Sequence, residues 1–180
     1  MRFQNLTDSK LSPDDVCRRV LRFMAQDPQA SYHFMIGTDS QVHRGYTKFV
    51  TGLIIHRLGK GAWACYRTVI VPREIESVKE KLSMETALSQ EVASIFSGDI
   101  IRRMEDLLLP HILQGASLTL YIDIDAGTEP KVNVTAKYVQ EMVDRVEAMG
   151  KYAPRVKPHA CAASAYANRH TKRPARMALG

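Results

Sequence analysis

The chain has 180 residues, of which 45% are hydrophobic, and its 25 basic and 19 acidic residues give a formal net charge of +6. This length is enough for one well-buried core and excludes two ordinary domains, so a single domain over residues 1–180 is predicted. The basic balance favours a polyanionic partner such as nucleic acid.

The three cysteines, Cys17, Cys65 and Cys161, are odd in number and show neither CxxC nor Cys/His ligand spacing. The sequence also shows no secretory leader and no long apolar span, which argues against a membrane protein. A reduced, cytoplasmic protein is the simplest interpretation, with the cysteines serving as small core residues.

An N-terminal helix is predicted over residues 12–26. Ser12 supplies a side-chain oxygen for the cap, Pro13 occupies the first turn, and Asp14 and Asp15 face the positive end of the helix dipole. Apolar residues then recur on one face, so the helix is expected to pack on the core and to carry no chemistry.

Three strands are predicted next, because β-branched and aromatic residues are concentrated in three runs joined by short connections that contain glycine. The runs are Tyr32–Asp39, Tyr46–His56 and Ala62–Val71. Connections this short predict an antiparallel meander.

The rest of the chain alternates between helical and strand patterns. The predicted elements are helices over Ile75–Phe96 and Asp99–Leu109, a strand over Ser117–Asp125, a helix over Val134–Met149, a short strand over Ala153–Val156, a helix over His159–His170 and a basic tail over 172–180. Alternation of this kind predicts an α/β fold with a mixed five-stranded sheet. Right-handed crossovers would place the fourth strand parallel to the first and beside it, with helices on both faces.

Four carboxylates interrupt this apolar pattern. Asp39 ends the first strand, Glu85 lies inside the apolar arc of the long helix, and Asp123 and Asp125 end the fourth strand. If strands one and four are neighbours, these acids meet, and like charges brought together need a cation or they protonate. Oxygen ligands of this kind suit a hard divalent ion, and such ions drive phosphodiester chemistry.

Each acid also has a purely structural explanation. Asp39 could form an Asx turn, Glu85 could bond to a loop or an arginine, and Asp123 and Asp125 could lie on a solvated sheet face. The joint pattern is harder to explain in this way, because the topology brings all four positions to one end of the sheet.

The order and spacing of these motifs resemble the bacterial ribonuclease H-like family labelled YkuK. The resemblance rests on IGTDSQ at 36–41, KLSME at 81–85, YIDID at 121–125 and the stretch from Lys157 to Arg169. It implies a ribonuclease H-like fold in which Asp39, Glu85 and Asp123 are the catalytic acids that hold Mg²⁺ or Mn²⁺, as two ions, with Asp125 as an alternative or supporting ligand. Asp39 and Asp123 would share one ion, and Asp39 and Glu85 the other.

The last helix departs from the family pattern. Ribonuclease H-like nucleases commonly place a fourth carboxylate there, whereas this chain has Asn168, which offers a neutral and weaker oxygen ligand. Two interpretations stay open, a metal ligand and a buried amide that bonds to backbone groups.

The leading hypothesis is a metal-dependent nuclease that hydrolyses phosphodiester bonds. The alternative is a nucleic-acid-binding or adaptor module that keeps the fold without turnover. Basic residues that would contact substrate phosphates are Arg44, Lys48, Lys157, Arg169, Lys172 and Arg173. Aromatic residues are few and do not cluster along the sequence, which favours a duplex or structured substrate over a single strand. An actin-like phosphotransferase is disfavoured, because the chain is too short for two domains and carries no phosphate loop.

Overall fold

The computed structural model describes residues 1–96, 98–127, 135–159 and 162–172. Its five strands form one sheet in the order β3-β2-β1-β4-β5. The strands are β1 (Ser31–His43), β2 (Tyr46–Arg57), β3 (Gly61–Val71), β4 (Ser117–Gly127) and β5 (Ala153–Lys157). Strands β1, β2 and β3 are antiparallel neighbours, whereas β4 runs parallel to β1 and β5 runs parallel to β4. The predicted mixed sheet, with β4 beside β1, is confirmed.

Within the described residues, five α-helices accompany the sheet. They are α1 (Pro13–Ala25), α2 (Val78–Ala93), α3 (Gly98–Leu108), α4 (Ala136–Glu147) and α5 (Ala162–Thr171), and a 3-10 turn over Leu109–Gln114 follows α3. Helix α2 is shorter than predicted because the Ser77 side chain caps it by accepting a hydrogen bond from the backbone N–H of Glu80. Residue 134, where α4 was expected to begin, lies outside the described residues, as do 160 and 161 near the predicted start of α5.

The main core lies between the sheet and the layer formed by α1, α2, α3 and α4. Val20 of α1, Leu82 of α2, Met104 of α3 and Met142 of α4 are all buried in one cluster with Ile36 of β1. Helix α5 packs on the opposite face of the sheet, where Tyr166 contacts a smaller apolar cluster. Helices therefore cover both faces, as predicted.

The orientation of α2 decides which of its acids faces the sheet. Leu82 and Val92 are buried and Leu88 is half-buried. Glu91 is exposed and accepts hydrogen bonds from the buried Arg67 of β3 at 3.0 and 2.5 Å. This pair fixes the rotation of α2 and leaves Glu85 directed at the end of β1.

No helix within the described part of the chain is long and apolar enough to cross a membrane.

Candidate active site

The register between β1 and β4 sets the positions of the acids on both strands. Gly37 lies beside Asp123 in this parallel pair. Side chains repeat every two residues on one face, so extending the register by two residues brings Asp39 beside Asp125. Asp123 lies two residues earlier on the same face of β4.

Asp39 is nearly buried, with 7% of its surface exposed. Its Oδ2 accepts a hydrogen bond from Oγ1 of Thr171 in α5 at 2.5 Å. Burial raises the pKa of Asp39 to about 6, and the negative charge of Asp125 adds to this effect, although the bond from Thr171 opposes it. The carboxyl group is therefore held where ionisation is disfavoured.

Glu85 reaches the same place from α2. Its Oε1 accepts a hydrogen bond from the Ser40 hydroxyl at 2.6 Å. The pKa of Glu85 is raised to about 8, chiefly by burial and partly by the charges of Asp125 and Asp39, while the bond from Ser40 opposes the rise. The effects of Asp125 on both other carboxyl groups indicate that Asp39, Glu85 and Asp125 form one electrostatic cluster, which we call the acidic cluster.

Asp123 is engaged by a different partner. Its buried carboxylate accepts a hydrogen bond from Nε of Arg155 at 2.8 Å, and Nη2 of the same guanidinium lies 2.6 Å from Oδ1. The guanidinium also lies 4.2 Å from the ring centre of Tyr121. Arg155 is the neighbour of Asp123 in the β4–β5 register, so the topology itself supplies this counter-charge.

Asp125 forms an ion pair with Lys157, whose Nζ lies 2.7 Å from Oδ1. The lysine side chain is half exposed. Lys157 therefore places a positive charge at the edge of the acidic cluster, within reach of solvent.

Helix α5 contacts the acidic cluster through Thr171. Oγ1 of Thr171, besides bonding Asp39, lies 3.1 Å from the carbonyl oxygen of Asn168. Asn168 is half-buried, one turn earlier on the helix. Thr171 is thus the α5 side chain that bonds to an acid of the cluster in the described structure.

Replacing Thr171 with valine, which has the same shape but no hydroxyl, should destabilise the protein. Asp39 would lose its hydrogen bond while staying buried, at a cost of about 1–3 kcal/mol. Urea denaturation measures this difference. Thr68→Val, at an exposed position of β3, is the matched control and should leave the free energy of unfolding almost unchanged. Equal effects of the two changes would show that the Thr171 hydroxyl does not support Asp39.

The predicted phosphate-contacting residues fall into two groups. Arg44, Lys157, Arg169 and Lys172 are exposed, and Arg173 lies outside the described residues. Lys48 is buried and donates a hydrogen bond to the carbonyl oxygen of His170 at 2.5 Å. In this state Lys48 joins β2 to α5.

The acidic cluster has the donor chemistry that Mg²⁺ and Mn²⁺ prefer, since it offers carboxylate oxygens from three separate elements. The raised pKa values of Asp39 and Glu85 arise mainly from burial, and the negative charge of Asp125 adds to both. The described side chains are not arranged as a finished coordination shell, however. Within the described ranges, no group of three or more histidine, cysteine, aspartate or glutamate side chains could hold a metal ion as it stands. Ser40, Thr171 and Lys157 bond to the cluster's carboxylates instead.

Three residues that bond to the acids of this site, Ser40, Thr171 and Arg155, were given no role from the sequence. Ser40 and Thr171 carry no charge and look like ordinary strand and helix residues. Arg155 could have been found, because an arginine in a short strand beside the end of β4 is a natural partner for a buried aspartate. The register that pairs them is a property of the assembled sheet.

Comparison with known proteins identifies the family. The family model described as Ribonuclease H-like matches residues 15–172. The protein named "Uncharacterized protein YkuK" from Bacillus subtilis (strain 168) is 45% identical over 170 residues, which cover 94% of this chain and 96% of that protein. No solved structure gives a significant match. The extent of both matches, together with the sheet order and the acids on β1, α2 and β4, shows that the chain belongs to the ribonuclease H-like family labelled YkuK.

Proposed function

We propose that the protein is a divalent-metal-dependent nuclease in which Asp39, Glu85 and Asp125 are the principal metal ligands. Membership of the ribonuclease H-like family indicates a nuclease or nucleic-acid-related function. The observation that carries the more specific proposal is that the charge of Asp125 raises the pKa of both Asp39 and Glu85 at one end of the sheet. A structural role alone gives no reason to bring together three carboxyl groups of which, in the described structure, only Asp125 forms an ion pair, with Lys157.

The chain's own residues would contribute to catalysis mainly through their positions. In the arrangement that the family resemblance implies, Asp39 is the carboxylate that two ions would share. Divalent ions bound there would supply an activated water and stabilise the charge that develops on the phosphate. Ser40 and Thr171 hold the Glu85 and Asp39 side chains in place through their hydroxyl groups.

Lys157 is the residue closest to a substrate phosphate in this scheme. Its ammonium group neutralises Asp125 in the described state and is half exposed. If Asp125 held a metal ion, the Lys157 ammonium group would be available to a phosphate oxygen. Exposed Arg169 and Lys172, on either side of Thr171 in the chain, would extend this positive surface.

The direct test is cleavage of labelled single-stranded, duplex and hybrid oligonucleotides in Mg²⁺, Mn²⁺ or EDTA. The protein should cleave at least one substrate in the presence of the metal and none in EDTA. Asp39→Asn, purified in parallel, should lose about 100- to 1,000-fold of this activity, which also excludes a contaminating nuclease. Cleavage that persists in EDTA or in the variant would refute the proposal.

One observation favours a second candidate, a nucleic-acid-binding module without turnover. The ion pair between Lys157 and Asp125 neutralises one acid of the cluster without any metal. A protein of this kind would bind oligonucleotides equally well in EDTA and in Mg²⁺, and no substrate in the panel would be cut.

A further inference from the structure

A groove separate from the acidic cluster runs along helix α1 at the edge of the sheet. Its volume is about 590 Å³. The lining side chains that matter here are Arg18, Arg19 and Arg22 of α1, together with Phe23, Gln26 and Trp63. The proposed nuclease function uses none of these residues.

The groove is lined by more positive than negative charge. Arg18 and Arg22 are one helical turn apart on the same side of α1, so their Cβ atoms are about 6 Å apart. Within the described part of the chain, the Arg22 guanidinium forms no ion pair or hydrogen bond. Arg57 adds a further positive charge beside the groove, because its guanidinium lies 4.5 Å from the ring centre of Phe23.

Two acids oppose this charge, and both are held in exposed ion pairs. Asp15 pairs with Arg18, and Asp8 pairs with Arg19 at 3.2 Å. Exposed pairs of this kind contribute little stability and are screened by salt. A phosphate can therefore compete with these carboxylates for the guanidinium groups at small cost, although the capping box with Ser12 keeps the Asp15 carboxylate in place. Arg22 needs no exchange of partners.

Aromatic side chains form the other part of the wall. Trp63 of β3 and Phe23 of α1 are both half-buried against the main core, and each leaves a surface in the groove. They are 40 residues apart in sequence and come together only in the folded protein, at the edge of the sheet. Positive charge beside aromatic faces is the combination by which proteins hold single-stranded nucleic acid, since phosphates follow the basic groups while bases stack on the rings.

The groove is too far from the acidic cluster to belong to it. Trp63 lies opposite Ile55 of β2, and Ile55 lies opposite Phe34 of β1. Asp39 is five residues further along β1, so the two sites are separated by about 17 Å along the strands and about 10 Å across them. Trp63 also faces the layer of α1 to α4.

We propose that this groove is a second nucleic-acid site that binds a single strand, with Arg18 and Arg22 contacting successive phosphates and Trp63 contacting a base. The bases of a duplex are stacked within the helix and cannot reach Trp63, so a single strand fits this wall better. The proposal goes beyond the nuclease function and does not depend on it.

Trp63 is the single tryptophan of the chain, so its fluorescence reports on this groove directly. The full-length protein, in EDTA to prevent cleavage, is titrated with oligothymidylate of about 12 nucleotides, with a duplex of equal length and with inorganic polyphosphate. The single strand should quench the fluorescence, and its affinity should fall with rising salt. Tighter binding of the duplex or of polyphosphate would overturn the assignment to a single strand.

The decisive variant is Arg18→Gln combined with Arg22→Gln. It should weaken single-strand binding by about 10-fold or more and reduce the salt dependence, because two phosphate contacts are lost. The matched control is Lys137→Gln combined with Lys151→Gln, which removes the same charge near α4 and should change the affinity by less than about twofold. Equal losses in both double variants, or no loss in either, would overturn the proposal. Thermal melts confirm that both variants are folded.

Discussion

Replacing Asp125 with asparagine should lower metal-dependent cleavage by about 100- to 1,000-fold, whereas the same change at Asp123 should leave most of the activity. Asp125 raises the pKa of both Asp39 and Glu85, so its charge acts within the acidic cluster. Asp123 is neutralised by Arg155 instead. The two substitutions are chemically identical and lie two residues apart on one strand.

The cost of the Asp123 change should appear in stability. Asparagine would leave the Arg155 guanidinium without its counter-charge, and we expect the free energy of unfolding to fall by about 1–3 kcal/mol. Cleavage rates are therefore compared at a temperature where circular dichroism shows both variants folded. If Asp123→Asn abolished cleavage while Asp125→Asn retained it, Asp123 would be the metal ligand, as the family resemblance implied.

Glu85→Gln should stabilise the metal-free protein at pH 8. The pKa of Glu85 rises from 4.5 to about 8 on folding, so between these values the native state binds more protons than the unfolded chain. Stability therefore falls as the pH rises through that window, and Asp39 adds a smaller loss between 3.8 and about 6. Glutamine removes the Glu85 contribution and can still accept the hydrogen bond from Ser40.

We expect Glu85→Gln to raise the melting temperature at pH 8 by about 3–10 °C and to have little effect near pH 4. Glu80→Gln is the matched control on the same helix. The ion pair with Arg73 lowers the pKa of Glu80, so this change should give no stabilisation. Mg²⁺ should then stabilise the wild-type protein more than Glu85→Gln, because the variant lacks one charged ligand. A variant less stable than the wild type at pH 8 would mean that Glu85 is not held in an uncompensated acidic cluster.

The sequence was sufficient to predict the sheet, and it named all three acids of the cluster as candidate ligands, with Asp125 as an alternative or supporting one. Asp39 and Glu85 stand out because each interrupts an apolar run, Asp39 in a strand that the structure extends to His43 and Glu85 within a buried helical arc. The predicted crossover topology placed strands β1 and β4 side by side, which the structure confirms. Local patterns suffice here because burial imposes a period of two on strands and of 3.6 on helices.

The choice between Asp123 and Asp125 could not be made from the sequence. Both side chains lie on the same face of β4, so alternation of polar and apolar residues does not separate them. We favour Asp125 in our proposal because of the register between β1 and β4 and the position of Arg155 in the register of β5. Register depends on contacts between segments more than 80 residues apart, as in the pairing of Gly37 with Asp123.

The contribution of α5 was equally hard to predict. Its sequence is rich in small residues and gives only a weak amphipathic pattern, so the rotation of the helix cannot be deduced from it. The family resemblance drew attention to Asn168, while the structure brings the Thr171 hydroxyl to Asp39. Both residues are uncharged, so charge in the sequence could not indicate which of them contacts the acidic cluster.

A crystal soaked in Mn²⁺ would test the metal centre most directly, because anomalous scattering identifies the ion. We expect anomalous density at about 2.1 Å from carboxylate oxygens of Asp39, Glu85 and Asp125, with Lys157 displaced from Asp125. Asp123 should keep its contacts with Arg155. Absence of density at this end of the sheet, with the ion pair between Lys157 and Asp125 intact, would contradict the proposed metal centre.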